Sequence, residues 1–400
     1  MLLINQDVMV RQLHQYCSIN SGSENLDGLA RMLSQLQTDF SSFSDNINII
    51  PMPHVPIILM TGEPILRASG SALHIQKRPH LKRRVLLCGH MDTVYSTDHP
   101  FQHLKMINSN TLNGPGVTDM KGGLIVMLHA LQAFEKTEAA SQLGWDVFIN
   151  ADEELGSLAS TQALSQVAKT SQVALVYEPT MNPDGLLAKN RKGNGKITLV
   201  AKGLAAHAGR DFNSGRNAIC FLAHIITAID SLNGQREGVT LNIGMITGGT
   251  SLNVVPEMAV AKIDVRITFP EDEQWVLRQL EKILQNNKKD GYSLSMDPHF
   301  DRPVKRINIA TEQLFSRLQA VGRKQGLHLD WQDSGGCCDG NNLAQHGLAV
   351  IDTLGVRGGK IHTPDEFILL DSLAERASLS ALLLTDLAQG SLELLNNGTV

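Results

Sequence analysis

A chain of 400 residues exceeds the size at which a single hydrophobic core keeps growing, so two domains are expected. With 42% hydrophobic and 19% charged residues and a net charge of −5, it has the composition of an ordinary soluble globular protein, and no long basic segment is present to meet nucleic acid. No apolar run is long enough to span a bilayer, Met1 to Asp7 loses its apolar character too soon and lacks the basic flank of a signal peptide, and five irregularly spaced cysteines fit a reducing cytoplasm.

Apolar spacing predicts helices over residues 5–16 and 24–40, the second capped by Ser23 or Asn25. Short strands follow at 48–50, 72–75, 85–88 and 104–107. The run Val85 to Cys88 reads as stopped by Gly89, with His90 and Asp92 directly after it. A Gly- and Pro-rich loop over 112–123 feeds an apolar helix over 124–134, which puts Asp119 at a helix entrance. A strand over 145–150 ends in Asp152, Glu153 and Glu154, a helix runs from about 157 to 168, and a strand over 173–177 ends in Glu178. Strands alternating with helices predict a mostly parallel sheet, and the ligand crevice of such a sheet lies beyond the carboxyl ends of its strands. Histidine and acidic residues are therefore delivered to one edge.

After Pro183 the texture changes. A strand over 196–201, a helix over 217–232, strands over 240–244 and 258–269, a helix over 271–285 and a strand over 292–296 make the order β-α-β-β-α-β, the ferredoxin-like arrangement. From 307 the first texture resumes, with a helix over 311–325, a strand over 327–331, a loop over 333–340, a strand over 348–353, a loop over 355–363 and a long helix over 365–387. The expected fold class is α/β, with a mostly parallel mixed sheet flanked by helices over 1–187 and 306–400 and an inserted ferredoxin-like α+β domain over 188–305.

His90, Asp92, Asp119, Glu153, Glu154, Glu178 and His362 all fall at these strand ends and loops. Burying that much negative charge without cations would cost more than a domain's net stability, and metal is the simplest compensation. If His90, Asp119 and Glu178 held one divalent ion, and His362, Glu154 and a bridging Asp119 another, three carboxylates would offset most of the charge of two ions. That is the composition of a two-metal hydrolase site. Nitrogen and oxygen donors without thiolate suit zinc, with cobalt or manganese as substitutes. Asp92 would accept the other imidazole N–H of His90, leaving Glu153 as general base on water. No serine-nucleophile elbow, phosphate loop or dinucleotide fingerprint is present.

Gly89-His-Met-Asp-Thr-Val94, Asn113 to Gly123, Asp152-Glu-Glu-Leu-Gly156, Gly203 to Gly209, Asn253-Val-Val-Pro256 and His362-Thr363 stand in the order of a known motif series. Together they resemble the M20 metallopeptidases, most closely the glutamate carboxypeptidase and acetylornithine deacetylase type of branch. The resemblance implies a di-zinc exopeptidase catalytic domain and a lid through which relatives dimerise, so a homodimer is expected. It also implies the metal assignment above, with Asp119 bridging and Glu153 as base. His207 matches a histidine that reaches a neighbouring subunit's site and helps hold the oxyanion. Asn253 and Arg266 match substrate-contacting positions, although Arg266 reads equally as an ion pair with Asp264 on its own strand. Gly335 and Gly336 match a loop whose amides approach the substrate carboxylate, and Cys337-Cys338 beside them departs from the family pattern.

By the resemblance, Glu178 favours substrates with a free carboxylate beside the scissile amide. The expected activity is release of a C-terminal, acidic amino acid from a small peptide or N-acyl conjugate. The alternatives are an N-acyl-amino-acid deacylase of the acetylornithine or succinyl-diaminopimelate type and, more remotely, a non-catalytic dimeric binding protein.

Overall fold

The computed structural model describes residues 5–395, so Met1 to Ile4, weighed above as the start of a leader, lie outside it. Among the described residues no helix is long and apolar enough to cross a membrane. The chain divides into two compact units. One comprises residues up to 54, 68–191 and 305 onward, and the other comprises 55–67 and 192–304.

The first unit is built on a six-stranded mixed sheet in the order Asn46–Ile50, Ala72–Lys77, Gly144–Asn150, Arg84–His90, Val173–Val176 and Ala349–Ile351. Ala72–Lys77 runs antiparallel to both neighbours and the remaining pairings are parallel. Because successive side chains of a strand point to opposite faces, each central strand feeds two helix layers. Val85 and Leu87 share a core with helices Gln6–Cys17, Leu26–Ser41, Lys121–Phe134, Ile309–Lys324 and Asp371–Asp386. Leu86 and Cys88 face a smaller cluster with Leu164, Val167 and Leu343 from helices Thr161–Ala168 and Asp339–Ala344. Every residue of Arg84–His90 and of Gly144–Asn150 is buried, as strands covered on both faces must be.

Three sequence expectations need correcting. Gly89 does not stop its strand, which continues through His90. A Cβ at Gly89 would lie 2.7 Å from Met120 Cε, so the missing side chain lets the turn before helix Lys121–Phe134 pack against the strand. The strand expected over 327–331 lies instead at Trp331–Ser334, pairing in parallel with Leu187–Arg191, while Leu329 is spent on the core beside helix Ile309–Lys324. The long helix expected from 365 begins only at Asp371, because Phe367–Leu369 pairs with Thr111–Asn113.

The chain leaves this unit after Arg191 and returns at Lys305, and the two residues form an antiparallel bridge through their backbones. Both side chains converge on Asp352, which is fully buried. Arg191 Nε and Nη2 donate to its two oxygens at 2.9 and 3.0 Å, and Lys305 Nζ donates at 2.7 Å. Removing the shared anion would strand two buried cations, so Asp352→Ala is expected to destabilise the protein by about 3–5 kcal/mol in chemical denaturation. A change below about 1 kcal/mol would refute that role.

The second unit contains Gly193–Lys202, helix Ala218–Asp230, Thr240–Gly248, Met258–Ile267, helix Glu271–Asn286 and Ser293–Arg302. Its sheet is antiparallel in the order Thr240–Gly248, Met258–Ile267, Gly193–Lys202, Ser293–Arg302, which is ferredoxin-like connectivity. Ile197, Leu199 and Ala201 pack under both helices through Leu222, Ile225, Val276 and Leu280. The hairpin Val55–Ile58 and Pro64–Arg67, which the sequence did not announce, belongs to this unit.

Candidate active site

Strand ends and loops of the first unit converge where the sheet topology requires. His90 closes the strand Arg84–His90, and Glu153 and Glu154 form the short 3-10 turn Glu153–Leu155 after strand Gly144–Asn150. Glu178 stands two residues beyond Val176, and Asp119 two residues before helix Lys121–Phe134. His362 lies in the loop between Gly358–Gly359 and Phe367–Leu369, with its backbone in the left-handed region at φ 62°.

His90 Nε2 lies 3.2 Å from Asp119 Oδ1 and 3.8 Å from Glu178 Oε1. His362 Nε2 lies 3.2 Å from Asp119 Oδ2 and 3.2 Å from Glu154 Oε2. The two oxygens of one carboxylate thus face two different imidazoles. Donor atoms of His90, Asp119 and Glu154 lie within 4.8 Å of one another, as do those of His90, Glu153 and Glu178.

The charges in this cluster are mutually strained. Hydrogen bonds to Asp119 and then Glu154 push the His362 imidazole up to about 11. Burial would lower His90, but hydrogen bonds to Asp119 and Asp92 hold it well above the usual histidine range. Burial would raise Asp119, yet contacts with His362 and His90 keep it below the usual carboxylate range. Burial, then the charge of Asp119, lifts Glu154 to about 8, and burial raises Glu178 well above its ordinary value. Carboxyl groups here outnumber the imidazoles, and burial together with the neighbouring carboxylates raises two of them. A donor set of imidazole nitrogen and carboxylate oxygen with surplus negative charge fits hard or borderline divalent cations.

Asp92, expected only to orient His90, does more. His90 Nδ1 approaches the Asp92 backbone carbonyl at 2.9 Å and its carboxylate at 3.3 Å. That carboxylate also accepts the N–H groups of Glu153 and Glu154, at 3.2 and 3.1 Å, and the Ser23 hydroxyl at 2.8 Å. It therefore holds the turn that presents both glutamates.

The remaining expected residues are distributed differently. His207 and Asn253 meet in the second unit, where Ala206–His207 pairs with Val254–Val255 and the Ala208 N–H donates to the Asn253 carbonyl. His207 Nδ1 accepts from the Gly209 N–H at 3.1 Å. Arg266, also in this unit, forks onto Asp264 at 2.7 and 3.2 Å, so the ion-pair reading is the geometry it adopts. Gly335 and Gly336 follow the strand Trp331–Ser334 in the first unit, and the Gly336 carbonyl accepts from Arg191 Nη1. A Cβ at either glycine would meet nothing closer than 3.7 Å, so the fold itself does not demand glycine there. The Cys338 thiol caps helix Asp339–Ala344 by accepting the Gly340 N–H, and burial raises it well above an ordinary thiol, which makes it a packing group rather than a nucleophile.

One residue of consequence was missed. Glu366 is fully buried and accepts the N–H groups of Gly116, Thr118 and Asp119 and the hydroxyl of Tyr95. The long helix expected from 365 hid it, and the only signal available was an acidic pair, Asp365-Glu366, shortly after His362.

The model of peptidase family M20/M25/M40 matches residues 86–386. The chain belongs to that family. It is a hydrolase of a metal-dependent family, and its α/β fold with a mixed sheet is the family's own. Among curated relatives, carboxypeptidase G2 of Pseudomonas sp. (strain RS-16) is 24% identical over 390 residues, covering 96% of this chain and 90% of that one. Succinyl-diaminopimelate desuccinylase of Blochmanniella pennsylvanica is 25% identical over 336 residues, covering 79% and 85%. Among solved structures, an M20 family metallo-carboxypeptidase of Sulfolobus solfataricus superposes with a TM-score of 0.74 at 16% identity, covering 95% of this chain and 99% of that one. A tripeptidase of Staphylococcus aureus does so with a TM-score of 0.74 at 21% identity, covering 96% and 99%.

Proposed function

We propose that this M20 hydrolase cleaves the amide bond that joins a C-terminal, acidic amino acid to a small peptide or N-acyl group. The observation that carries the catalytic part is the placement of Asp119, whose two oxygens face His90 and His362. In this reading His90, Asp119 and Glu178 hold one divalent ion and Asp119, Glu154 and His362 hold the other, zinc being the ion that suits the donors best. Bound there, the two ions supply Lewis acidity toward the scissile carbonyl and toward water.

Glu153 shares the turn with Glu154 and takes a proton from the attacking water as the new C–O bond forms. It passes that proton to the amine nitrogen as the C–N bond breaks. Asp92 keeps both glutamates in place through their backbone N–H groups. His207 donates to the oxyanion of the tetrahedral intermediate, reaching it from a second copy of the chain paired through the ferredoxin-like unit. Support for cleavage at a C-terminal amino acid comes from the likeness to carboxypeptidase G2, which spans nearly all of both chains.

The desuccinylase among the relatives supports a second reading, in which the amino acid is freed from an acyl group such as succinate. A panel of dipeptides, N-acyl amino acids and glutamyl conjugates, offered to the zinc-loaded protein with amino-acid release as readout, separates them. Fastest release of a C-terminal glutamate or aspartate is the expected result. Turnover confined to N-succinyl or N-acetyl amines would transfer the assignment to the deacylase reading.

A further inference from the structure

We infer that Glu366 is a positioning residue that sets the spacing of Asp119 and His362, and with it the capture of the second metal ion. The inference rests on the metal reading proposed above and goes beyond it, since Glu366 is not among the donors.

Both oxygens of Glu366 are already committed. Oε1 accepts the N–H groups of Thr118 and Asp119, at 2.9 and 3.1 Å. Oε2 accepts the Gly116 N–H at 3.0 Å and the Tyr95 hydroxyl at 2.9 Å. Four donors on one buried carboxylate leave it little capacity to bind an ion itself. Three of the four groups it holds, the N–H groups of Gly116, Thr118 and Asp119, belong to the loop that carries Asp119.

The other end of the tether is His362. The Tyr95 hydroxyl that meets Glu366 also lies 2.9 Å from the carbonyl of Thr363, the residue after His362. The Glu366 N–H closes a turn onto that same carbonyl. The backbone of the 363–367 segment is fastened to the Asp119 loop at further points. Asn113 Nδ2 donates to the Glu366 carbonyl at 2.7 Å, the Gly114 N–H donates there at 3.2 Å, and Thr118 Oγ1 donates to the Phe367 carbonyl at 2.6 Å. His362 itself has a half-exposed side chain. Its ring meets Asp119 and Glu154 through Nε2, and the place of its backbone relative to the Asp119 loop is set by how these two loops are fastened. Glu366 belongs to the His362 segment, and its carboxylate accepts three N–H groups of the Asp119 loop, which fastens the one loop to the other. Such outer partners of metal donors govern affinity because the donors cannot reorganise freely around the ion.

The test is Glu366→Gln, in which an amide of the same size turns N–H groups toward donors. Metal content after equilibration with buffered free zinc is measured by mass spectrometry, and zinc affinity by competition with a chelating dye. The unaltered protein should hold two ions. E366Q should hold the second roughly 10–100-fold more weakly and the first, whose other donors His90 and Glu178 are not held by Glu366, with a clearly smaller loss. A purely structural role would weaken both sites alike or neither. Tyr95→Phe, which removes only the phenol bridge, should weaken the second ion in the same direction by less, and it is read in place of E366Q if that variant does not fold. Two ions bound by E366Q and Y95F as tightly as by the unaltered protein would overturn the positioning role. Fewer than two ions on the unaltered protein would instead overturn the metal reading beneath it.

Discussion

Asp119→Ala is expected to strip the protein of both metal ions and reduce hydrolysis to background. The reason is geometric. Among the described residues Asp119 is the one carboxylate whose two oxygens approach both His90 and His362, each at 3.2 Å, whereas Glu178 lies near His90 and Glu154 near His362. Loss of a bridging donor therefore empties two sites, while loss of a terminal donor weakens one. Metal content should fall from two ions to none in D119A, and from two to one in Glu178→Ala. One ion retained by D119A at unaltered affinity would show that Asp119 does not bridge. The comparison is clean because the Glu366 carboxylate grips the Asp119 backbone N–H, which the substitution leaves in place.

Glu153→Ala is expected to keep the fold and both ions while lowering turnover by about a hundredfold to ten-thousandfold, the range that a positioned general base supplies. The geometry makes this a discriminating experiment, since the Glu153 carboxylate lies close enough to His90 and Glu178 to be a donor itself. A donor and a base leave different signatures. If Glu153 is the base, metal content is unchanged and kcat falls. If it is a donor, the ion beside His90 is lost along with activity. The same variant addresses whether copies of the chain cooperate. Mixed and re-equilibrated with His207→Ala, E153A should regain activity through hybrid dimers in which one site has both residues intact. Absence of any regain would confine His207 to its own copy or remove it from the reaction.

Much of the candidate site could be read before the fold was known, because its donors follow apolar segments whose period announces strands. His90, Glu153, Glu154 and Glu178 each come directly after such a run, and the rule that ligands gather beyond strand carboxyl ends places them together. Asp119 was legible as a helix-entrance residue after a Gly- and Pro-rich loop. His362 had weaker local support, a histidine in a turn-rich loop, and the motif series reinforced it. The same logic overreached at Gly89. A glycine after an apolar run resembles a stop, but here it is a strand residue thinned to admit Met120.

Period, punctuation and the order of chemical groups thus determined the fold class, the ferredoxin-like connectivity and the candidate site residues, since each depends on residues near one another in sequence. Tertiary structure alone decided the fastenings. Phe367–Leu369 is too short to show a period, and only its pairing with Thr111–Asn113, some 250 residues earlier, makes it a strand and turns Glu366 toward Asp119. Likewise the Asp92 carboxylate meets the N–H groups of Glu153 and Glu154 across about 60 residues, and Asp352 meets Lys305 across 47 residues and Arg191 across 161. A buried carboxylate's partners are backbone N–H groups or distant cations, and neither leaves a mark in the local pattern from which strands, helices and motifs are read.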